Sequence, residues 1–205
     1  MSTDAQSHWN RVYTTKAADT VSWYQEQPRT SLELIASANL PADAPIIDVG
    51  GGASALVDCL LAQGRTALSV LDICAAALAN SRARLGADAS KVRWIESDVR
   101  EFAPSQRYAL WHDRAVFHFL TDRADRAAYL AALRRSLDPR GHVVIATFAL
   151  DGPARCSGLD VAHYDAPALH AQFGADFEML ESRRETHITP SGAEQRFTWV
   201  HLRLR

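Results

Sequence analysis

The sequence predicts an α/β fold: a mostly parallel sheet, covered by helices on both faces, that ends in an antiparallel hairpin. Three observations predict it. From Pro45 onward, short apolar runs alternate with helical patterns, the mark of βαβ units. A glycine cluster, Gly50-Gly51-Gly52, stands where the first run gives way to the first helix. The chain then finishes in two long extended runs joined by Thr189-Pro190-Ser191-Gly192-Ala193, a turn-forming segment.

Each element has a local reason. Residues 31–39 have helical spacing, with Leu32, Leu34, Ile35 and Ala38 on one face. Ile46-Ile47-Asp48-Val49 is a buried-strand pattern, and residues 54–63 return to helical spacing until Gly64 stops them. Residues 67–71 form a second strand, and residues 75–85 an alanine-rich helix ended by Gly86. Residues 92–95 and 108–112 supply the third and fourth strands. Residues 122–137 are amphipathic with helical period, and residues 141–148 make a fifth strand. After a helix at residues 166–173, the runs 177–187 and 194–203 pair as the hairpin. The first forty residues differ in being aromatic-rich, with Trp9, Tyr13, Trp23 and Tyr24. They are expected either to pack in a core or to form a lid, so residues 1–44 are assigned as a helical extension to a domain at 45–205.

Composition removes several classes. The 205 residues suit one domain, and 22 basic against 24 acidic side chains leave a net charge of −2. That balance offers no basic field for nucleic acid and no polybasic membrane anchor. No apolar run approaches the roughly 18 residues of a membrane span, and the polar residues 1–10 lack a secretory core. Cys59, Cys74 and Cys156 are odd in number and widely spaced, against a disulfide framework or a structural zinc. Cys59, in an apolar run, is expected in the core. The histidines show no ligand spacing, so no metal is expected. A cytoplasmic monomer is the expectation.

The glycine loop carries the first chemistry. Glycines between strand and helix let the backbone turn sharply and approach a ligand, while the helix start offers free N–H groups. By itself the loop is ambiguous, because Gly50-x-Gly52-x-x-Ala55 also satisfies a dinucleotide fingerprint. Asp72 ends the second strand, where a carboxylate accepts ribose hydroxyls or caps the following helix. Asp98 follows the third strand, positioned either for an adenine amino group or simply for solvent.

Asp48-x-Gly50-x-Gly52, Asp72 and Ser97-Asp98, with the terminal hairpin, resemble the class I S-adenosylmethionine-dependent methyltransferases. The resemblance covers about residues 45–205 and implies a Rossmann-like three-layer sandwich whose seven-stranded sheet takes its last strand antiparallel. It implies S-adenosylmethionine as cofactor, with Gly50 and Gly52 near its methionine part and Asp48 among the residues that bind it. It further implies Asp72 with Ile73 at the ribose, Asp98 with Val99 at the adenine, and Trp23 in a segment that completes the site.

A nicotinamide-dependent oxidoreductase is the alternative. The chain lacks a second domain's length, and neither Lys16 nor Lys91 has a tyrosine four residues before it. A non-catalytic cofactor-binding module is a third reading.

By the same resemblance, Trp111-His112-Asp113-Arg114 lies beside the transferred methyl. It is similar to the Asp-Arg-Gly/Ala pattern of thiopurine and elongation-factor lysine methyltransferases, and lacks the Asn/Asp-Pro-Pro-Tyr signature of nucleobase enzymes. His112 is expected to contact cofactor and, with Asp113, to orient the acceptor or take its proton; Asp113 otherwise pairs with Arg114 or caps a helix. His118 is either a packed histidine or a base. Arg114, Arg155 and Tyr164 are the candidates for gripping the acceptor, a small molecule first and a protein lysine second. For Arg155 the alternative is a solvated side chain.

Overall fold

The computed structural model describes residues 2–205. Strands β1 (Ile46–Val49), β2 (Leu68–Asp72), β3 (Val92–Glu96), β4 (Tyr108–Arg114) and β5 (Leu137–Phe148) run parallel. A short hairpin, β6 (Arg155–Cys156) and β7 (Leu159–Asp160), stands apart from the sheet, which continues with β8 (Phe177–Ile188) and β9 (Glu194–Leu204). The seven-stranded order is β3-β2-β1-β4-β5-β9-β8, so the last strand inserts antiparallel between β5 and β8 as expected.

Every residue of β1 and β2 is buried, the condition of central parallel strands covered on both faces. Alternation then divides the side chains between two cores. Ile47, Val49, Trp111 and Val143 face α5 (Arg123–Ser136) and α6 (Ala166–Phe173). Ile46, Leu110 and Val144 face α2 (Arg29–Ser37) and α3 (Leu56–Ala62). Leu78 of α4 (Ala75–Leu85) joins this second core. The period of two therefore sends His112 and Arg114 to the α2 face and Asp113 to the α5 face. The edge strand β8 alternates exposed and half-buried positions rich in charge, including Glu178, Glu181, Arg183 and Glu185, which discourages edge-to-edge pairing.

Caps fix the ends of two helices. Asp122 accepts the Ala124 amide at 2.7 Å before α5, and Asp165 accepts the Ala168 amide at 2.9 Å before α6. Two elements differ from the sequence reading. Residues Ser2–Thr15 form a helix, α1, that packs on α4 through its aromatic side chains, and the glycine-punctuated segment after β5 folds into the β6–β7 hairpin. Cys59 is only partly buried, because it sits on the outer side of α3; Cys74 and Cys156 are the buried cysteines, and all three are free.

Candidate cofactor and acceptor site

A cleft of ≈ 590 Å³ opens beyond the carboxyl ends of the parallel strands, where open α/β sheets place their ligands. Gly50, Asp72, Ile73, Asp98 and Val99 line it from the ends of three strands, Arg114 from the end of β4, and Trp23 from the segment before α2. The glycine loop is shaped by what surrounds it. Gly50 has φ +69°, and a Cβ there would stand 2.1 Å from Val116 Cγ2. A Cβ on Gly52 would meet Ala77 Cβ and Asp72 Oδ2, each at 2.6 Å.

Asp72 accepts two hydrogen bonds from backbone amides at the cleft wall. Its Oδ1 accepts the Cys74 amide at 2.8 Å, which shapes the entry to α4, and its Oδ2 accepts the Gly52 amide at 3.0 Å. Burial, opposed by those two hydrogen bonds and reinforced by the charge of Asp48, pushes its carboxyl up to about 6. Asp98 is different. Burial alone would raise it, but hydrogen bonds and charge from Arg100 outweigh burial and hold it below the usual carboxylate range. Arg100 also reaches Asp125 at 2.7 Å, joining the loop after β3 to α5 across the rim of the cleft.

A second, smaller recess lies beside the glycine loop, lined by Ser31, Asp48, Gly50, His112 and Arg114. Here His112 bridges two elements: Nδ1 lies 2.7 Å from Asp48 Oδ1 and Nε2 3.0 Å from Ser31 Oγ. Both ring nitrogens are thereby engaged. Asp48 Oδ2 is buried with no partner.

The amino-terminal aromatics close over the cleft. Trp9 stands edge-on to Trp23 and Phe119, with centroids 5.7 and 5.2 Å apart, and Tyr13 packs on Trp23 at 6.0 Å. Residues 21–25 are strapped to the hairpin: Gln25 donates to Glu185 at 2.8 Å, and the Ser22 carbonyl accepts from His187 Nε2, 2.8 Å away. Arg114 Nη1 donates to the Trp23 carbonyl at 2.9 Å.

Four sequence candidates lie elsewhere. Asp113, on the α5 face, caps the turn after β4: its oxygens accept the amides of Val116 at 2.8 Å and Phe117 at 3.1 Å, and the Tyr129 hydroxyl at 2.6 Å. It lines neither cavity and is a cap, not a base facing an acceptor. His118 is wholly buried beside Phe119 and Phe148, accepts the Phe148 amide at Nδ1, and is pushed down to about 3 by burial. It lines neither cavity and stays neutral, so it is a packed histidine. Arg155 points to solvent and pairs with Asp160 across the β6–β7 hairpin at 2.8 Å. Tyr164 is buried against Phe117 in the α5-side core, away from the cleft.

Sequence reasoning missed Arg100, which lines the cleft. The Asp98-x-Arg100 spacing was the available signal for it.

Sheet order and cleft define the class: a Rossmann-like domain with an inserted last strand and a nucleotide-sized cavity at the strand ends. Residues 46–141 match the family model described as a methyltransferase domain. Nodulation protein S of Sinorhizobium fredii is 32% identical over 130 residues, covering 63% of this chain and 59% of its own length. The chain thus spans less than two thirds of that relative. The solved N-methyltransferase NodS from Bradyrhizobium japonicum, in complex with S-adenosyl-L-homocysteine, superposes with a TM-score of 0.72 at 17% identity, covering 95% of this chain and 97% of that one. The 1,6-didemethyltoxoflavin-N1-methyltransferase of Burkholderia thailandensis gives 0.69 at 22% identity, covering 98% and 84%. These likenesses give the chain a Rossmann-like fold, with residues 46–141 similar to methyltransferase domains.

Proposed function

We propose that this chain transfers a methyl group from S-adenosylmethionine to a nucleophilic nitrogen, oxygen or sulfur atom of a small molecule. The observation that carries the reading is the convergence of Gly50, Asp72, Ile73, Asp98 and Val99 on one cleft, within the segment that matches the methyltransferase model. The residues fit such a cofactor. The orphaned Asp48 Oδ2 suits an ammonium group, and Asp72, a carboxylate on the cleft wall, suits a diol. Ile73 and Val99 offer apolar contact to an adenine ring, with Asp98, steadied by Arg100, at its edge.

When bound, the cofactor supplies an electrophilic methyl on a positively charged sulfur, so the transfer is an in-line displacement in which positioning provides much of the rate. The chain's part is to orient and to exclude water. Trp9, Trp23 and Phe119 wall the cleft, while Cys156 and Leu159 from the β6–β7 hairpin bound its acceptor end. No free basic atom comes from His112, Asp113 or His118. The reading therefore favours a neutral amine or ring nitrogen, which attacks with its lone pair and releases its proton to solvent afterwards.

Residues 1–44 act in this reading as a lid over a domain at 45–205, in a cytoplasmic monomer that takes no nucleic acid. Among the described residues no helix is long and apolar enough to cross a membrane. Incubating the protein with methyl-tritiated cofactor and fractionated lysate tests the reading: label is expected in the small-molecule fraction. Binding of NADH with none of S-adenosylmethionine would overturn it, and label confined to protein would redirect it to a lysine acceptor.

A further inference from the structure

Arg114 is a buried cation with an unused face. Its Nη1 donates to the Trp23 carbonyl at 2.9 Å, and its guanidinium lies over the Phe197 ring at 4.6 Å. Its Nε and Nη2 are buried and have no partner among the described residues. Glu185, a neighbouring charge, already accepts hydrogen bonds from Gln25 at 2.8 Å and Trp199 at 2.7 Å. The Nε–Nη2 edge of a guanidinium is a planar fork that takes a carboxylate through two parallel hydrogen bonds. Two buried donors left empty are unfavourable unless a ligand fills them.

The same recess holds the opposite orphan. Asp48 Oδ2, a buried carboxylate oxygen, has no partner either, and both residues line the recess beside Gly50. A carboxylate and a guanidinium that both line one recess, each with buried atoms lacking a partner, are complementary to a group that bears both charges, an α-amino-acid zwitterion. We propose that Arg114 binds the carboxylate of the cofactor's amino-acid end, with Asp48 taking its ammonium. The proposal rests on the cofactor reading above and reassigns Arg114 from acceptor to cofactor. The strap at residues 21–25 then has a second purpose: through the Trp23 carbonyl it holds the guanidinium in place, leaving the fork edge free.

Two ligands that differ only in that end provide the test. S-adenosylhomocysteine carries the amino-acid group; 5′-methylthioadenosine keeps the nucleoside and thioether without it. Calorimetry on the wild type, Arg114→Gln, Arg114→Lys and Gln25→Ala reads both affinities, and thermal unfolding checks that each variant folds. Arg114→Gln is expected to weaken S-adenosylhomocysteine by about 10- to 100-fold, the loss of a charge-assisted pair, and to leave methylthioadenosine within about twofold. Arg114→Lys, which keeps the charge without the fork, is expected to fall between, again only for S-adenosylhomocysteine. Gln25→Ala loosens the strap without touching the charge and is expected to move both ligands together. Equal weakening of both ligands by Arg114→Gln would reduce Arg114 to a strap fastener and overturn the assignment. Unchanged S-adenosylhomocysteine affinity would also overturn it and return the residue to the acceptor. If the wild type bound neither ligand, the cofactor reading itself would fall, and this assignment with it.

Discussion

Asp72 Oδ2 accepts the Gly52 amide at 3.0 Å, so the end of the second strand is tied to the glycine loop of the first. The contact explains why residue 52 has no side chain: a Cβ would meet that carboxylate oxygen at 2.6 Å. One side chain thus shapes the loop and presents a carboxylate to the cleft.

Asp72→Ala is expected to weaken S-adenosylhomocysteine at least tenfold, at about 1.4 kcal/mol per factor of ten. The loss should depend on pH. Burial holds this carboxyl at about 6, and the ionised form, with both oxygens accepting, is the stronger acceptor for a diol. Wild-type affinity should therefore fall as pH drops below 6, by up to about tenfold per unit, because binding must expel a proton. The Asp72→Ala variant should lack this step. Calorimetry at pH 5, 6 and 7.5 measures both.

Gly50 has φ +69°, and a Cβ would overlap Val116 Cγ2. Gly50→Ala should destabilise the protein by about 1–2 kcal/mol from the backbone conformation alone, with overpacking added. Val116→Ala removes the obstructing methyl, so the double variant should recover the overpacking part and leave the backbone part. Urea unfolding of the two single variants and the double one gives the coupling. Strict additivity would rule out the clash.

The Tyr129 hydroxyl donates to Asp113 at 2.6 Å and accepts from Trp111 Nε1 at 2.9 Å, all three groups buried. Tyr129→Phe leaves both partners short of a bond and should reduce stability by about 1–3 kcal/mol. Denaturant midpoints check this, and cofactor affinity in the folded variant should hardly change if Asp113 is a cap.

His118 is held neutral in the fold, pushed down to about 3 by burial, against 6.5 for the ordinary group. Between those values the unfolded chain binds a proton that the native state refuses. This contribution is intact above 6.5 and is lost as pH falls, by about 1.4 kcal/mol per unit. His118→Phe removes the term, so the variant should gain on the wild type in Tm from pH 7 to pH 5. A constant difference across that range would show that the ring is not titrating on unfolding.

Arg155→Ala should leave both Tm and cofactor affinity unchanged, since its pair with Asp160 is exposed. A loss of acceptor turnover in this variant, measured once an acceptor is known, would return it to the site.

Much of the fold was legible because local patterns carried it. The strand at Ile46–Val49, the helices at Ala75–Leu85 and Ala166–Phe173 and the terminal hairpin follow from periodicity, glycine stops and turn chemistry. The cleft wall was legible too: Asp72 and Asp98 stand at strand ends, and strand ends in an α/β sheet lead to one place. The acceptor residues were not. Asp113 and His112 are neighbours in sequence, yet the two-residue period of β4 sends one into the α5-side core and the other to the recess. A helical extension over residues 1–44 was legible but the bounds of α1 were not, because its aromatic side chains gain their contacts from α4, Trp23 and Phe119.

By itself, then, the sequence determined the order of elements, the class of fold and the residues of the glycine loop and strand ends, since each depends on spacing within a few residues. Only the tertiary structure decided which charges are satisfied. Asp113 found two amides and a hydroxyl, His112 found a carboxylate and a serine, and Arg114 kept two buried donors without a partner among the described residues. Burial and partnership are set by segments far apart in the chain, and spacing carries no record of them.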